Sequence, residues 1–241
     1  MAGKPRKLLL NVNKGGYTFV LDRTSGQFIS AWPIVRNINW TKGIDKHGTL
    51  IGRNEAENRR SAFICPAVGG GRSWNHGTYS PRTGLFYSTG IEWCEELTPR
   101  KQDPKEGQNF FGGLYHLKKP LDGEAGSHLD AYDPVSGKRA WSHPAKYPLL
   151  ASVLATAGDL VFTGDPEGHF FALDAKTGEK LWTFQTGSGH RGSPVAYSVK
   201  GKEYIATPSG WGSAMVGLMA QIWPEVEHFR AGSSVVAFTV R

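Results

Sequence analysis

No stretch of this 241-residue chain reaches the run of about eighteen apolar residues that a membrane-spanning helix needs. The opening Met1-Ala-Gly-Lys-Pro-Arg-Lys7 leads only into Leu8-Leu-Leu10 before polar Asn11, a core too short for a signal peptide. The chain is therefore expected to be soluble, with no membrane span and no export signal of its own. Sustained helical periodicity is also missing, so helices should be few, and the best candidate, Ser213 to Trp223, is short. Cysteine is scarce. Cys65 and Cys94 are the only two, and a pair of buried thiols or a bridge both remain open from the residues alone. A bridge would close a loop of roughly 30 residues, stabilise by about 3–4 kcal/mol in the chain-entropy picture, and imply an oxidising compartment.

Catalytic signatures are equally sparse. The Gly69-Gly-Gly71 run lacks the Lys-Ser/Thr of a phosphate loop, no Gly-x-Ser-x-Gly elbow occurs, and the eight histidines show no metal-ligand spacing. Glu95 and Glu96 are adjacent, which on a strand would send them to opposite faces. The charged stretch from Glu95 to Gln108, with Pro99 and Pro104, reads instead as solvated loop. The formal charge is +7, but Lys and Arg are scattered through turns and not gathered with aromatics on one stripe, which argues against a nucleic-acid partner.

Glycine (31), proline (14) and tryptophan (8) are plentiful, as many short strands with tight turns require. One turn recurs four times: Asp22-Arg-Thr-Ser-Gly26, Ser80-Pro-Arg-Thr-Gly84, Asp133-Pro-Val-Ser-Gly137 and Asp174-Ala-Lys-Thr-Gly178, each between two apolar runs. The last two extend to Ala-x-Asp-x-x-Ser/Thr-Gly-x-x-x-Trp, ending at Trp141 and Trp182; the first has Ser30 in the Trp place and Trp32 two positions on. An Asp can accept amide bonds two or three residues ahead, Gly supplies a positive φ, and a returning strand can carry Trp where units meet. Spacing of this size indicates a unit that buries its apolar face by stacking on its neighbours.

Lys7 to Val12 and Tyr17 to Leu21 read as strands joined at Lys14-Gly-Gly16, Ser30 to Asn39 as a strand region interrupted at Pro33, and Thr41 to Arg60 as a surface excursion. Later apolar blocks, from Leu160 to Thr163 through Val235 to Val240, follow one another like the strands of propeller blades. The fold is thus expected to be all-β, a partial β-propeller, with residues 1–241 forming a single domain.

The stretches Asn13 to Gly26, Trp40 to Asp45, Ile64-Cys-Pro66, Tyr79 to Tyr87, Ala155 to Phe162 and Gly187 to Pro194 closely resemble the pyrroloquinoline-quinone (PQQ)-dependent alcohol dehydrogenases, the methanol and ethanol dehydrogenase group. The resemblance runs from about Lys7 to the last residue. It implies an eight-bladed periplasmic propeller with PQQ and calcium on its axis, of which this chain corresponds to about the last four blades. It further implies a Cys65–Cys94 disulfide, and Lys14 as the basic residue that reaches the quinone oxygens. Ser73 stands where the family usually has Asn near the cofactor, Trp74 and Asn75 follow it, and Leu150 stands where the family often has Trp. The family's general-base aspartate, its calcium ligands and the Trp on which the quinone stacks precede the matched region, so no catalytic residue and no metal ligand is assigned here, and the isolated chain is expected to be inactive. Implied partners are a small alcohol, an electron acceptor such as a cytochrome c, and either the missing N-terminal half or a second copy of the chain to cover exposed sheet edges. The alternative is a non-enzymatic periplasmic propeller-repeat scaffold or binding protein; the Lys14 and Ala155-Thr-Ala-Gly158 matches argue against it.

Overall fold

A computed structural model describes residues 6–54 and 60–239. The first five residues, part of the Thr41–Arg60 excursion, and the last two, Val240 and Arg241, lie outside the described residues. Elements are numbered in chain order. The chain divides into two compact units, one of Met1–Gly71 with Glu92–Ala125, the other of Arg72–Ile91 with Gly126–Arg241.

In the first unit, β1 (Leu8–Val12), β2 (Tyr17–Asp22) and β3 (Phe28–Pro33) form an antiparallel meander. The expected excursion contains a small ribbon of β4 (Gly43–Ile44) and β5 (Leu50–Ile51). A further sheet has β9 (Cys94–Pro99) between β6 (Ala62–Ile64) and β10 (Gly113–Lys118). Here the expectation of loop from Glu95 to Gln108 is corrected. Residues 94–99 are a central strand, because Leu97 pairs with both Tyr115 and Ala62 while Glu95 pairs with both Leu117 and Ile64. Two-sided pairing outweighs the local charge density, and the loop is confined to the residues that follow Pro99.

The second unit stacks three sheets. The first has the order β12-β11-β8-β7, from β7 (Thr78–Ser80), β8 (Leu85–Glu92, whose last residue belongs to the first unit), β11 (Gly126–Tyr132) and β12 (Arg139–Ala145). The next is β13 (Leu154–Ala155), β14 (Leu160–Gly164), β15 (His169–Asp174) and β16 (Lys180–Gln185) in sequential order. The last is β17 (Val195–Val199), β18 (Lys202–Ser209) and β19 (Ser234–Thr239). Among the described residues there is a single short α-helix, α1 (Ala214–Met219), which lies inside the predicted helical stretch and precedes a 3-10 turn, Pro224–His228.

The apolar run Phe170-Phe-Ala-Leu173 does not alternate because β15 is covered on both faces. Phe171 and Leu173 pack with Tyr87, Leu129, Trp141 and Leu149 toward the preceding sheet. Phe170 and Ala172 pack with Phe162 and, beyond it, Ile205 and Phe238 of the following sheet. Strand geometry sends alternate side chains to opposite sides, and here each side meets another sheet.

The repeated turn behaves as its residues require. The turn glycine amide donates to the carbonyl four residues back in all four copies, at 2.8–2.9 Å, and Gly26, Gly84, Gly137 and Gly178 adopt φ of +71° to +75°. Asp22, Asp133 and Asp174 each accept amide bonds two and three residues on through Oδ1. These bonds, with those from Thr24, Ser136 and Thr177 hydroxyls, hold all three carboxyls below the usual range. Ser80 Oγ makes no such bond to any described residue, so the second copy relies on its backbone bond and its glycine. Trp141 meets the next sheet as expected: its indole donates to Ala175 O at 3.0 Å and lies against Gly178.

Candidate functional site

Two clusters gather the sequence-predicted residues, one in each unit. In the first, Lys14 sits at the β1–β2 hairpin tip, and its backbone is held on every side. Gly15 N donates to Asn13 Oδ1 (3.0 Å), Trp40 Nε1 to Gly15 O (2.9 Å), and Gly71 N to Lys14 O (2.9 Å). The exposed ammonium donates to Val68 O at 3.1 Å, and the same residue's N–H donates to Glu95 Oε2 at 2.7 Å. Burial pushes the Glu95 carboxyl above its ordinary range, with the Val68 amide and the Lys14 charge opposing that shift. Glu95 is thus buried beneath Lys14, while Glu96 on the opposite strand face approaches Lys118 at 3.7 Å.

Cys65 and Cys94 are joined by a disulfide that ties the end of β6 to the start of β9. The glycine run beside it has a packing reason. A Cβ on Gly69 would stand 2.2 Å from the Trp93 ring, one on Gly71 would stand 2.9 Å from Gly16 Cα, and Trp93 Nε1 donates to Gly70 O at 2.8 Å. The run lets backbone approach an indole and the Lys14 hairpin.

In the second unit, the loops leading into three edge strands are laced together. Asn75, before β7, donates through Nδ2 to Thr89 Oγ1 (2.8 Å), Ala151 O (3.1 Å) and Leu149 O (3.3 Å). His76 N donates to Ser152 Oγ (2.9 Å), Val153 N returns to His76 O (2.9 Å), and Ser193 Oγ donates to Ser152 Oγ (2.8 Å). Segments before β7, β13 and β17 therefore converge. Ser73 and Asn75 are buried, yet Ser73 Oγ and Asn75 Oδ1 make no hydrogen bond to any described residue. Trp74 between them is 51% exposed, and the Arg191 guanidinium lies 4.7 Å from its ring centroid. Leu150, in the same cluster of loops, is fully buried as a core residue.

His190, next to Arg191, is buried with Nε2 2.9 Å from Thr186 Oγ1 and Nδ1 3.0 Å from Pro208 O. Burial lowers its pKa, as it does that of His143. Both stay neutral in the fold while the unfolded chain takes up protons below about pH 6.5. Stability is therefore complete above that pH and is lost as pH falls from it toward the depressed folded values. The urea midpoint of the second unit should drop between pH 7.5 and pH 5.5, and drop less in His143→Gln. Equal slopes in the two proteins would exclude His143 as a contributor.

One group of potential metal ligands occurs among the described residues: Asp165, Glu167 and His169, in the β14–β15 turn. Asp165 already accepts from the His169 amide (2.9 Å) and contacts its ring nitrogen (3.1 Å), so the arrangement serves the turn. It does not fit a cofactor's metal. The orphaned oxygens of Ser73 and Asn75 beside a half-exposed indole do fit a planar group bearing polar substituents. Sequence reasoning found these residues and Lys14; it missed Glu95 as a buried partner and gave Arg191 no role, since neither stands in a local signature and both acquire meaning only from strands distant in sequence.

Residues 130–205 match the family described as PQQ: glucose/ethanol/alcohol dehydrogenase, beta-propeller domain. The chain is 39% identical to quinoprotein alcohol dehydrogenase PedH of Pseudomonas putida over 98% of its own length and 41% of that protein's. It is 36% identical to the quinohemoprotein alcohol dehydrogenase of Comamonas testosteroni, over 92% of this chain and 32% of that one. Among solved structures it is similar to a europium-containing methanol dehydrogenase, with TM-score 0.91 and 28% identity over all of this chain and 46% of that chain. The crystal structure of the Comamonas testosteroni enzyme gives TM-score 0.85 and 32% identity, over 99% and 36%. The chain thus spans from about a third to just under half of the length of these relatives, and by sequence, strand content and neighbours it belongs to the quinoprotein alcohol dehydrogenases, as part of their β-propeller.

Proposed function

We propose that residues 1–241 form one propeller domain portion of a PQQ-dependent alcohol dehydrogenase that oxidises primary alcohols, and that Lys14, Ser73, Trp74 and Asn75 are cofactor-facing. The observation that carries this reading is the pair of buried, unpartnered oxygens of Ser73 and Asn75 in loops that are otherwise tightly hydrogen-bonded, because such atoms are rare unless a ligand completes them. When bound, the quinone would supply the hydride acceptor. Lys14, anchored through Val68 O, would present a cation to the negative charge that develops there. Asn75, whose Nδ2 hydrogens are shared among three acceptors, would keep its Oδ1 in one orientation. The general base and the ion, calcium or a lanthanide as in the europium-containing relative, would come from the remaining length of the protein, so this portion alone would be inactive. The proposal includes a periplasmic location, an electron acceptor such as a cytochrome c, and a complementary propeller half or second copy.

Adding PQQ to the purified chain should quench tryptophan fluorescence, and Lys14→Ala should weaken that binding by about 10- to 100-fold, the worth of a hydrogen bond from a charged donor. Saturable quenching of equal affinity in both proteins would remove Lys14 from the site, and no quenching in either would sink the cofactor reading of this portion.

A further inference from the structure

Arg191 is a cation with no anionic partner among the described residues. Its guanidinium is partly buried, and burial lowers its pKa, yet no carboxylate among the described residues pairs with it. Nη1 donates to Gly212 O and Ser213 Oγ. Nε is buried, and neither Nε nor Nη2 makes a hydrogen bond to any described residue. Removing a charge from water without compensation is unfavourable, and a neighbouring indole face offsets only part of it.

The surroundings hold this side chain in place. Trp74 lies against one face, and Ser193, two residues on, is bonded through Ser152 Oγ to the segment that carries Trp74. Ser213, which receives Nη1, has φ of +83°, in a region that L side chains seldom occupy outside sites where the surroundings enforce it. Beside Trp74 stand the two buried oxygens without partners, on Ser73 and Asn75. A positioned guanidinium with unused donors is suited to a planar oxyanion, which it binds in the plane of its fork.

We propose that Arg191, braced by Trp74, is a receptor for a carboxylate on a small organic ligand of the second unit. The inference rests on the surroundings of Arg191 and not on the quinone reading. A carboxylate of that kind could be carried by a PQQ-like cofactor or by an acid-bearing substrate, and the test separates the two sources.

Calorimetric titration of the full chain with benzoate, with benzyl alcohol as its uncharged counterpart, and with PQQ would be compared in the natural protein, Arg191→Gln and Trp74→Leu. Circular dichroism would establish that each variant is folded; Trp74 is half-exposed, so its variant stands in if Arg191→Gln does not fold. At least one carboxylate probe should bind and weaken about tenfold or more in Arg191→Gln, with a smaller loss in Trp74→Leu, while benzyl alcohol shows no dependence on Arg191. Loss confined to PQQ would assign the carboxylate to the cofactor, and loss confined to benzoate would assign it to a substrate; either supports the receptor. Unchanged affinity for both carboxylates in a folded Arg191→Gln, or no binding of either to the natural protein, overturns it. A result in which Lys14→Ala leaves PQQ binding intact while Arg191→Gln weakens it would refute the assignment of Lys14 and leave this one standing.

Discussion

Trp141→Ala is expected to destabilise the second unit by about 3–5 kcal/mol, the range for deleting a large buried aromatic. The ring is 8% exposed and packs with Tyr87, its centroid 5.7 Å away, and with Leu129, Leu149 and Leu173. Its loss leaves a void bounded by two sheets, neither of which can collapse without breaking strand pairing. It also removes one of two donors to Ala175 O, the Tyr87 hydroxyl remaining at 2.9 Å. Trp182, the equivalent residue one repeat later, is 38% exposed and packs against Phe184 and Phe238. Truncation there opens to solvent and should cost well under half as much. Urea unfolding followed by far-ultraviolet circular dichroism would compare the two; equal losses would mean that the stacking of sheets through Trp141 does not hold the unit together.

Removing the disulfide should be of similar size for the first unit. Cys65 and Cys94 are 29 residues apart, and opening a loop of that length costs about 3–4 kcal/mol through the greater freedom of the unfolded chain. The bridge ties β6 to β9 beside Gly69 and Trp93, so the Lys14 hairpin, which bonds to the same loop through Val68 and Gly71, should loosen with it. The Cys65→Ser, Cys94→Ser protein should unfold at markedly lower denaturant, and reductant should bring the natural protein to the same midpoint without moving the variant. A natural protein indifferent to reductant would refute this.

Much of the architecture was legible because its signals are local. An Asp and a Gly four residues apart specify a turn by their own chemistry, and the turn is found at all three Asp positions with its amide bonds in place. The strand at Cys94–Pro99 was not legible, because its two neighbours, Ala62–Ile64 and Gly113–Lys118, override a charged and proline-bearing sequence. The glycines at 69 and 71 resembled a failed phosphate loop until Trp93 and Gly16 were seen against them. At the candidate site, Lys14, Ser73, Trp74 and Asn75 came from family resemblance, whereas the lacing of His76, Ser152 and Ser193, and the placement of Arg191 on Trp74, depend on loops brought together only by the stacking of sheets.

The four turn glycines share one backbone shape, but an atom added at Gly26 or Gly84 would touch nothing, while Gly178 lies directly beneath the indole of Trp141. Aromatic ring currents shield nuclei above their faces. The α-protons of Gly178 should therefore resonate well upfield of those of Gly26 and Gly84, giving proton magnetic resonance a label on one contact between adjacent sheets that vanishes when they part, before any strand melts.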